Sequence, residues 1–329
     1  MPISRKIMGV SRTRIFTGAL TAAGTIATSA VPKDVCISTD GKNVYVRCQA
    51  GVRMFSRNTT TGSLTSLGDF AMSDTGYPRS ICISADGTSV YSGGNSITMC
   101  SRNTTTGMLT LLGTITGVSS GYSMCISADG TSVYGGATSV LMYSRNTTTG
   151  MLTALGSSSS SSGNRKIIIS ADGTSVYSTN SNAADFAMFS RNTTTGMLTF
   201  ISNKSVTYQN PKYSMCISAD GTSVYVLGAN SLSMFSRNTT TGSLTLLTDI
   251  FPTNDGRYIS ISPDGVSVYT GNTNGKISWY SRNTTTGMLT FNSDMTTALE
   301  AESMCISADG TSVYSTHTSA AVLTIFTRS

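Results

Sequence analysis

The chain has 329 residues, of which only 12% are charged, and Ser, Thr and Gly are plentiful. That composition favours short strands joined by tight turns over helices, and no apolar run approaches the roughly 20 residues that a membrane-spanning helix needs. The formal charge of +6 does not describe a basic nucleic-acid-binding body. Arg5, Lys6, Arg12 and Arg14 supply +4 of it before residue 15, with no acid among them.

Residues 1–14 therefore read as a basic arm. Its cations alternate with Ile3, Ile7, Met8 and Val10, a mixture able to bury apolar contacts while pairing with acids, and it is expected to attach the protein to a larger assembly. The stretch that follows, IFTGALTAAGTIATSA, has the outline of a secretory signal. SRTRIFTGALTAAGTI also matches SRNTTTGMLTLLGTI at 101–115 with one inserted residue. The repeat reading is preferred, so the chain is not expected to be secreted, and a cytoplasmic or virion location is left open.

Asp-Gly pairs then punctuate the chain at Asp40, Asp86, Asp129, Asp172, Asp220, Asp264 and Asp309, spaced by 46, 43, 43, 48, 44 and 45 residues. Five of them stand in the octapeptide Ser-Ala-Asp-Gly-Thr-Ser-Val-Tyr. A period near 45 is the length of one four-stranded propeller blade. The expected fold is all-β: a single seven-bladed propeller over residues 15–329, with four antiparallel strands per blade.

Residues 80–115 serve as the template. SICIS predicts an innermost strand buried on both faces, and the residue three before each Asp is Ile in all seven repeats, from Ile37 to Ile306. Asp-Gly turns the chain, TSVYSGG and ITMCSRN are the second and third strands, NTTTG turns again, and MLTLLGTI is the outer strand. Five of the seven cysteines (Cys36, Cys82, Cys125, Cys216, Cys305) share one repeat position, four before the Asp. Equivalent points on neighbouring blades lie too far apart for a bond that needs Cα atoms within about 7 Å, so free thiols in small niches are expected. The last repeat stops after a third strand while TGALTAAGTI is an outer strand without a blade. Joining the two closes the ring and removes an exposed sheet edge.

Ser-x-Asp-Gly, Val-Tyr-Val and Met-Phe-Ser-Arg-Asn-x-x-Thr-Gly-x-Leu-Thr resemble the lactonase-like seven-bladed propellers of the 6-phosphogluconolactonase type and the related Tyr-Val-Thr-Asn repeats. The resemblance covers all seven repeats, but its residues belong to strands and turns, which specify the blade more strongly than the activity. It implies Arg, His and Glu around the channel mouth. Pro78-Arg79 matches the start of the family's Pro-Arg-His, but Ser80 stands where the His should be. His317 is placed in a loop of the last repeat, and Glu300 and Glu302 share one link.

Loops on one face hardly vary between copies, whereas the second-to-third loops and the inter-blade links on the other face do, so a binding surface is expected there. Seven residues before each Asp stand Lys33, Arg79, Tyr122, Arg165, Tyr213, Arg257 and Glu302, which should ring the channel mouth as a site for a small anionic or carbohydrate ligand. On the invariant face the repeat arginines are expected to form exposed pairs with turn aspartates. The chain shows no phosphate loop, metal-ligand cluster or nucleophile with its base, so neither cofactor nor metal is expected. Without a placed base, the leading reading is a non-enzymatic binding or structural module, in a phage or other virion. The alternatives are a lactonase or sugar-acid hydrolase at the channel mouth and a carbohydrate-binding adhesin.

Overall fold

The computed structural model describes residues 16–72, 79–118, 123–158, 164–180, 185–206, 212–251, 256–297 and 299–329, and for 164, 165, 212 and 213 the backbone alone. Residues 1–14, including Arg5, Lys6, Arg12 and Arg14, lie outside the described residues, as do Tyr122 and most of the Ser run at 157–162.

The repeat folds as its residue pattern dictates. Seven four-stranded antiparallel sheets form, six of them from four consecutive strands. Their innermost strands are Pro32–Ile37, Ser80–Ile83, Ser123–Ile126, Asn164–Ile169, Lys212–Ile217, Gly256–Ile261 and Ala301–Ile306. Each packs against the next, and the seventh against the first, so the sheets close into a propeller around a central bore. The seventh sheet takes three strands from the C-terminus and one from the N-terminus: Leu20–Ala27 pairs antiparallel with Val322–Arg328. Gly18 N–H donates to Ser329 C=O at 2.7 Å and Ser329 N–H to Ala19 C=O at 3.0 Å, which locks the seam.

Between each pair of blades lies a small apolar core. Val133 and Tyr143 of the third blade, for example, meet Tyr91 and Met99 of the second, and all four are buried. The Asp-Gly turn needs the left-handed backbone that glycine adopts without penalty, and Gly87 has φ 69°. Gly150 has a second reason to be glycine: a Cβ there would stand 2.6 Å from Ser89 Oγ of the preceding blade.

That close approach belongs to a clamp repeated at every blade junction, where the structure differs from the expected exposed ion pairs. Arg145 is buried. Its guanidinium donates to Tyr91 Oη at 2.8 Å, Asp86 Oδ2 at 2.9 Å, Thr88 Oγ1 at 3.0 Å and Ser89 Oγ at 2.9 Å, all on the preceding blade, and to Gly130 C=O on its own. Tyr91 in turn donates to Gly150 C=O. Arg57, Arg102, Arg191, Arg237 and Arg282 repeat the arrangement, each on the preceding blade's Asp. Arg328, which ends the final Phe-Thr-Arg, completes the ring on Asp264. The arginines are inaccessible because the guanidinium fills the gap between two sheets, and only the carboxylates face solvent.

The clamp sets the acid limit of the fold. Burial alone would raise the Asp86 carboxyl, but bonds from Ser84, Thr88 and Arg145 outweigh it and hold it down at about 2. Asp129 and Asp309 behave alike, and Asp40, Asp172, Asp220 and Asp264 are also lowered. An unfolded Asp titrates near about 3.9. A carboxyl depressed on folding stabilises the protein fully above that value and loses the contribution as pH falls through the folded pKa. Asp34, raised by burial, acts in the opposite sense, one group against seven. His317, held down by burial, contributes stability that fades as pH falls below its unfolded value of about 6.5, so the melting temperature is expected to slip modestly from pH 7 to about 4.5 and to collapse between about pH 4 and 2. Most of the loss falling between about pH 7 and 5 in thermal melts would assign the acid sensitivity to His317 rather than to the clamp.

All seven cysteines are free. Cys36, Cys82, Cys125 and Cys305 are half-exposed by area because they face the bore, yet they lie deep in the protein, and burial pushes their thiols well up.

Candidate active site

On an inner strand, alternate residues face the same way. The cysteine position, four before each Asp, shares its side with the position six before, so these two form stacked rings around the bore. The upper ring, nearer the variable-loop face, consists of Asp34, Ser80, Ser123, Lys166, Ser214, Tyr258 and Ser303. Serine is the repeat residue, and blades one, four and six depart from it.

The serines explain why the position is polar. Ser80 Oγ accepts the Met124 N–H of the next blade at 2.8 Å, and Ser123 Oγ accepts Ile167 N–H at 3.2 Å. Asp34 does the same work with a charge. Its Oδ2 accepts Ile81 N–H at 2.9 Å, while Oδ1 accepts its neighbour Val35 N–H at 2.9 Å and Ser303 Oγ–H at 2.6 Å. The carboxylate thus joins blades seven, one and two. Burial pushes its pKa above the usual carboxylate range, against the pull of Lys166, Ser303 and the two amides. Ser214 departs from the serine pattern: its Oγ is buried without a hydrogen-bond partner.

Lys166 stretches across blade five to blade six, where its Nζ lies 5.2 Å from the centroid of the Tyr258 ring, within the range of a cation–π contact. Burial would push this ammonium down, but Tyr258, Asp34, Cys125 and Cys216 together hold it above its ordinary value. Burial likewise raises the Tyr258 phenol. The ring therefore brings an ammonium, a phenol and a carboxyl group to one bore. Asp34 influences Lys166 without forming an ion pair with it.

The residues expected to ring the mouth stand one position earlier. Lys33, Arg257 and Glu302 are half-buried on the first turns of their inner strands, and Arg79 is exposed just ahead of Ser80. Lys33 falls in a bulge between the Pro32↔Cys48 and Asp34↔Arg47 pairs, and Tyr213, Arg257 and Glu302 occupy the same irregular place. Bulges re-aim side chains at strand ends. The side chains of Arg165 and Tyr213 are not described. His317 is not in a loop. It ends the strand Ser312–His317 and is wholly buried. One ring nitrogen lies 2.7 Å from Thr324 Oγ1 and the other 3.2 Å from Glu300 C=O, so this histidine supports the blade. Among the described residues no group of His, Cys, Asp or Glu is arranged to hold a metal ion, and no helix is long and apolar enough to cross a membrane.

The family pattern for the lactonase seven-bladed β-propeller matches residues 17–128 and 214–308, more than half of the chain. Among solved structures, a candidate 6-phosphogluconolactonase from Bacteroides uniformis superposes with a TM-score of 0.72 at 19% identity, covering 80% of this chain and 85% of that one. The periplasmic gluconolactonase of Pseudomonas aeruginosa gives 0.68 at 18% identity, covering 80% and 85%. Hydrazine synthase from Kuenenia stuttgartiensis gives 0.72 at 15% identity, covering 92% and 97%. At these identities the likenesses concern the fold, which evidently carries unrelated chemistries. No curated protein matches by sequence. The family match corrects the expectation of a non-enzymatic virion or adhesive module. That expectation weighed the uniform repeats and the missing histidine but not the three ring positions where uniformity breaks. This chain belongs to the lactonase family of seven-bladed β-propellers.

Proposed function

We propose that the protein hydrolyses the lactone ring of a sugar acid at the variable-loop end of its bore. One observation carries the reading. In seven repeats otherwise close to copies, the bore-lining serine is exchanged for Asp34, Lys166 and Tyr258, which supply a base, a cation and a hydroxyl. Asp34 Oδ2 accepts one hydrogen bond and keeps a lone pair, and its raised pKa moves it towards the range of an effective general base. In the reaction, water adds to the lactone carbonyl and gives its proton to Asp34. The ring C–O bond then breaks, and the proton passes to the departing alkoxide oxygen, leaving a hydroxy acid. The rim of Lys33, Arg79, Tyr122, Arg165, Tyr213, Arg257 and Glu302 is assigned the role of drawing an anionic substrate towards the bore.

Glucono-1,5-lactone and its 6-phosphate, whose acid product is read with a pH indicator, are the substrates for the test. Turnover above the buffer rate is expected. Asp34→Asn should lower kcat by at least about 100-fold, the usual contribution of a general base. The acid limb of the rate profile should lie above the ordinary Asp value of about 3.9, with activity rising as Asp34 ionises. A folded protein that leaves both lactones at the buffer rate would refute the reading.

A further inference from the structure

We infer that Lys166, Ser214 and Tyr258 form a seat for one oxyanion of a sugar acid, a carboxylate or a phosphate ester, on the wall of the bore across blades four to six. The inference deepens the lactonase reading by naming the charge its ligand carries.

Three observations converge. Lys166 Nζ is held against the Tyr258 ring at 5.2 Å, and none of its three N–H donors meets an acceptor among the described residues. Ser214 stands on the strand that Lys166 crosses. Unlike Ser80 and Ser123, whose Oγ atoms accept an amide of the next blade, its Oγ is buried and unpartnered. A buried hydroxyl without a partner is unfavourable by about 1–3 kcal/mol, and a ligand that accepts its hydrogen bond removes that penalty. Asp34, the nearest acid to influence Lys166, is already bonded by Val35, Ile81 and Ser303 and does not pair with the ammonium. Lys166 thus has no hydrogen-bond acceptor for its ammonium among the described residues, and Ser214, on the strand of the blade between, has a hydroxyl without one. A small oxyanion meets both needs: one oxygen on the ammonium and one on the Ser214 hydroxyl, with the face of Tyr258 fixing the ammonium in place.

The location argues that this feature is particular to the chain. Lys166 lies in residues 129–213, between the two segments that the family pattern matches. Ring opening also converts the lactone carbonyl oxygen into a carboxylate oxygen. A seat that accepts the product's carboxylate would therefore also hold the charge that develops on that oxygen during attack.

Calorimetric titration of the full chain with D-gluconate, glucose 6-phosphate and the uncharged polyol sorbitol tests the seat. Gluconate or glucose 6-phosphate should bind and sorbitol should not, and the anion that binds identifies the group accepted. Lys166→Met should weaken that anion at least about tenfold, the scale of a charge-assisted bond. Ser214→Ala, which removes one atom from a buried site and tests the seat should Lys166→Met fail to fold, should weaken it about fivefold. Sorbitol binding as tightly as either anion, or anion binding unchanged in both variants but lost in Arg79→Ala, would overturn the inference. Anion binding without lactone turnover would refute the hydrolase reading and leave the seat standing. Turnover with no dependence on Lys166 or Ser214 would do the reverse.

Discussion

Removing residues 1–27 is expected to lower the melting temperature by more than about 10 °C and to make the protein aggregate. The deletion takes away the strand Leu20–Ala27 and with it that strand's backbone bonds to Val322–Arg328. Leu20 packs against the cluster of Phe326, Val313 and Tyr269, and Ile26 against that of Leu323 and Ile325. Both side chains are partly buried, so each contributes a part of the about 1.5–3 kcal/mol of full burial. The seam clamp also fails, because Tyr269 donates to Gly18 C=O and the Phe16 ring lies 4.4 Å from the Arg328 guanidinium. Together these losses come to several kcal/mol, and for a chain of this length each corresponds to roughly 2–3 °C. The newly exposed edge of Val322–Arg328 is a template for pairing with another molecule. Circular dichroism melts and light scattering decide the matter. A truncated protein that melts cooperatively at the parent's temperature would show that the ring does not depend on this closure. Removal of residues 1–13, which spares the strand, should leave the melt nearly unchanged.

The difference between what was legible and what was not follows from where interactions run. The blade is local, since an Asp-Gly turn, a Val-Tyr strand and a Thr-Gly turn recur within 45 residues, and their period announces the architecture. The split closing blade was legible for the same reason, as Leu20–Ala27 and Val322–Arg328 are complementary fragments of one repeat. The clamp is not local. Arg145 meets Tyr91 and Asp86, which are 54 and 59 positions away, and because every repeat carries all three residue types, spacing alone favours pairing within a blade. The bore-facing site was half legible. The loop-end position drew notice because cations gather there, while the decisive signal lay one residue later. Aligning the repeats at that position shows Ser80, Ser123, Ser214 and Ser303 against Asp34, Lys166 and Tyr258. That Ser214 differs from Ser80 and Ser123 in its bonding was not legible at all, because it depends on the geometry between blades five and six.

Arg191→Ala is the point substitution with the largest expected cost, about 3–5 kcal/mol, from the void it leaves between two sheets and the buried groups left without their donor. Its guanidinium is fully buried and donates to Tyr134, Asp129, Thr131 and Ser132 of the preceding blade and to Gly173 C=O of its own. Alanine leaves Tyr134 Oη and Ser132 Oγ buried with an acceptor site empty, and opens a void between two sheets. Asp129→Ala should be milder, about 1–2 kcal/mol. The carboxylate side chain is 41% exposed, water takes its place, and Arg191 keeps its other four acceptors. The asymmetry is diagnostic, because a surface ion pair would lose a similar, small amount from either side. Denaturant titrations of the two variants and of the double variant measure it. Equal and small effects would return these arginines to the role of exposed pairs. An effect of Arg191→Ala several times that of Asp129→Ala would establish that the guanidinium, with its full set of acceptors, and not the ion pair alone, holds each blade to the one before it, and the double variant measures the share of the pair.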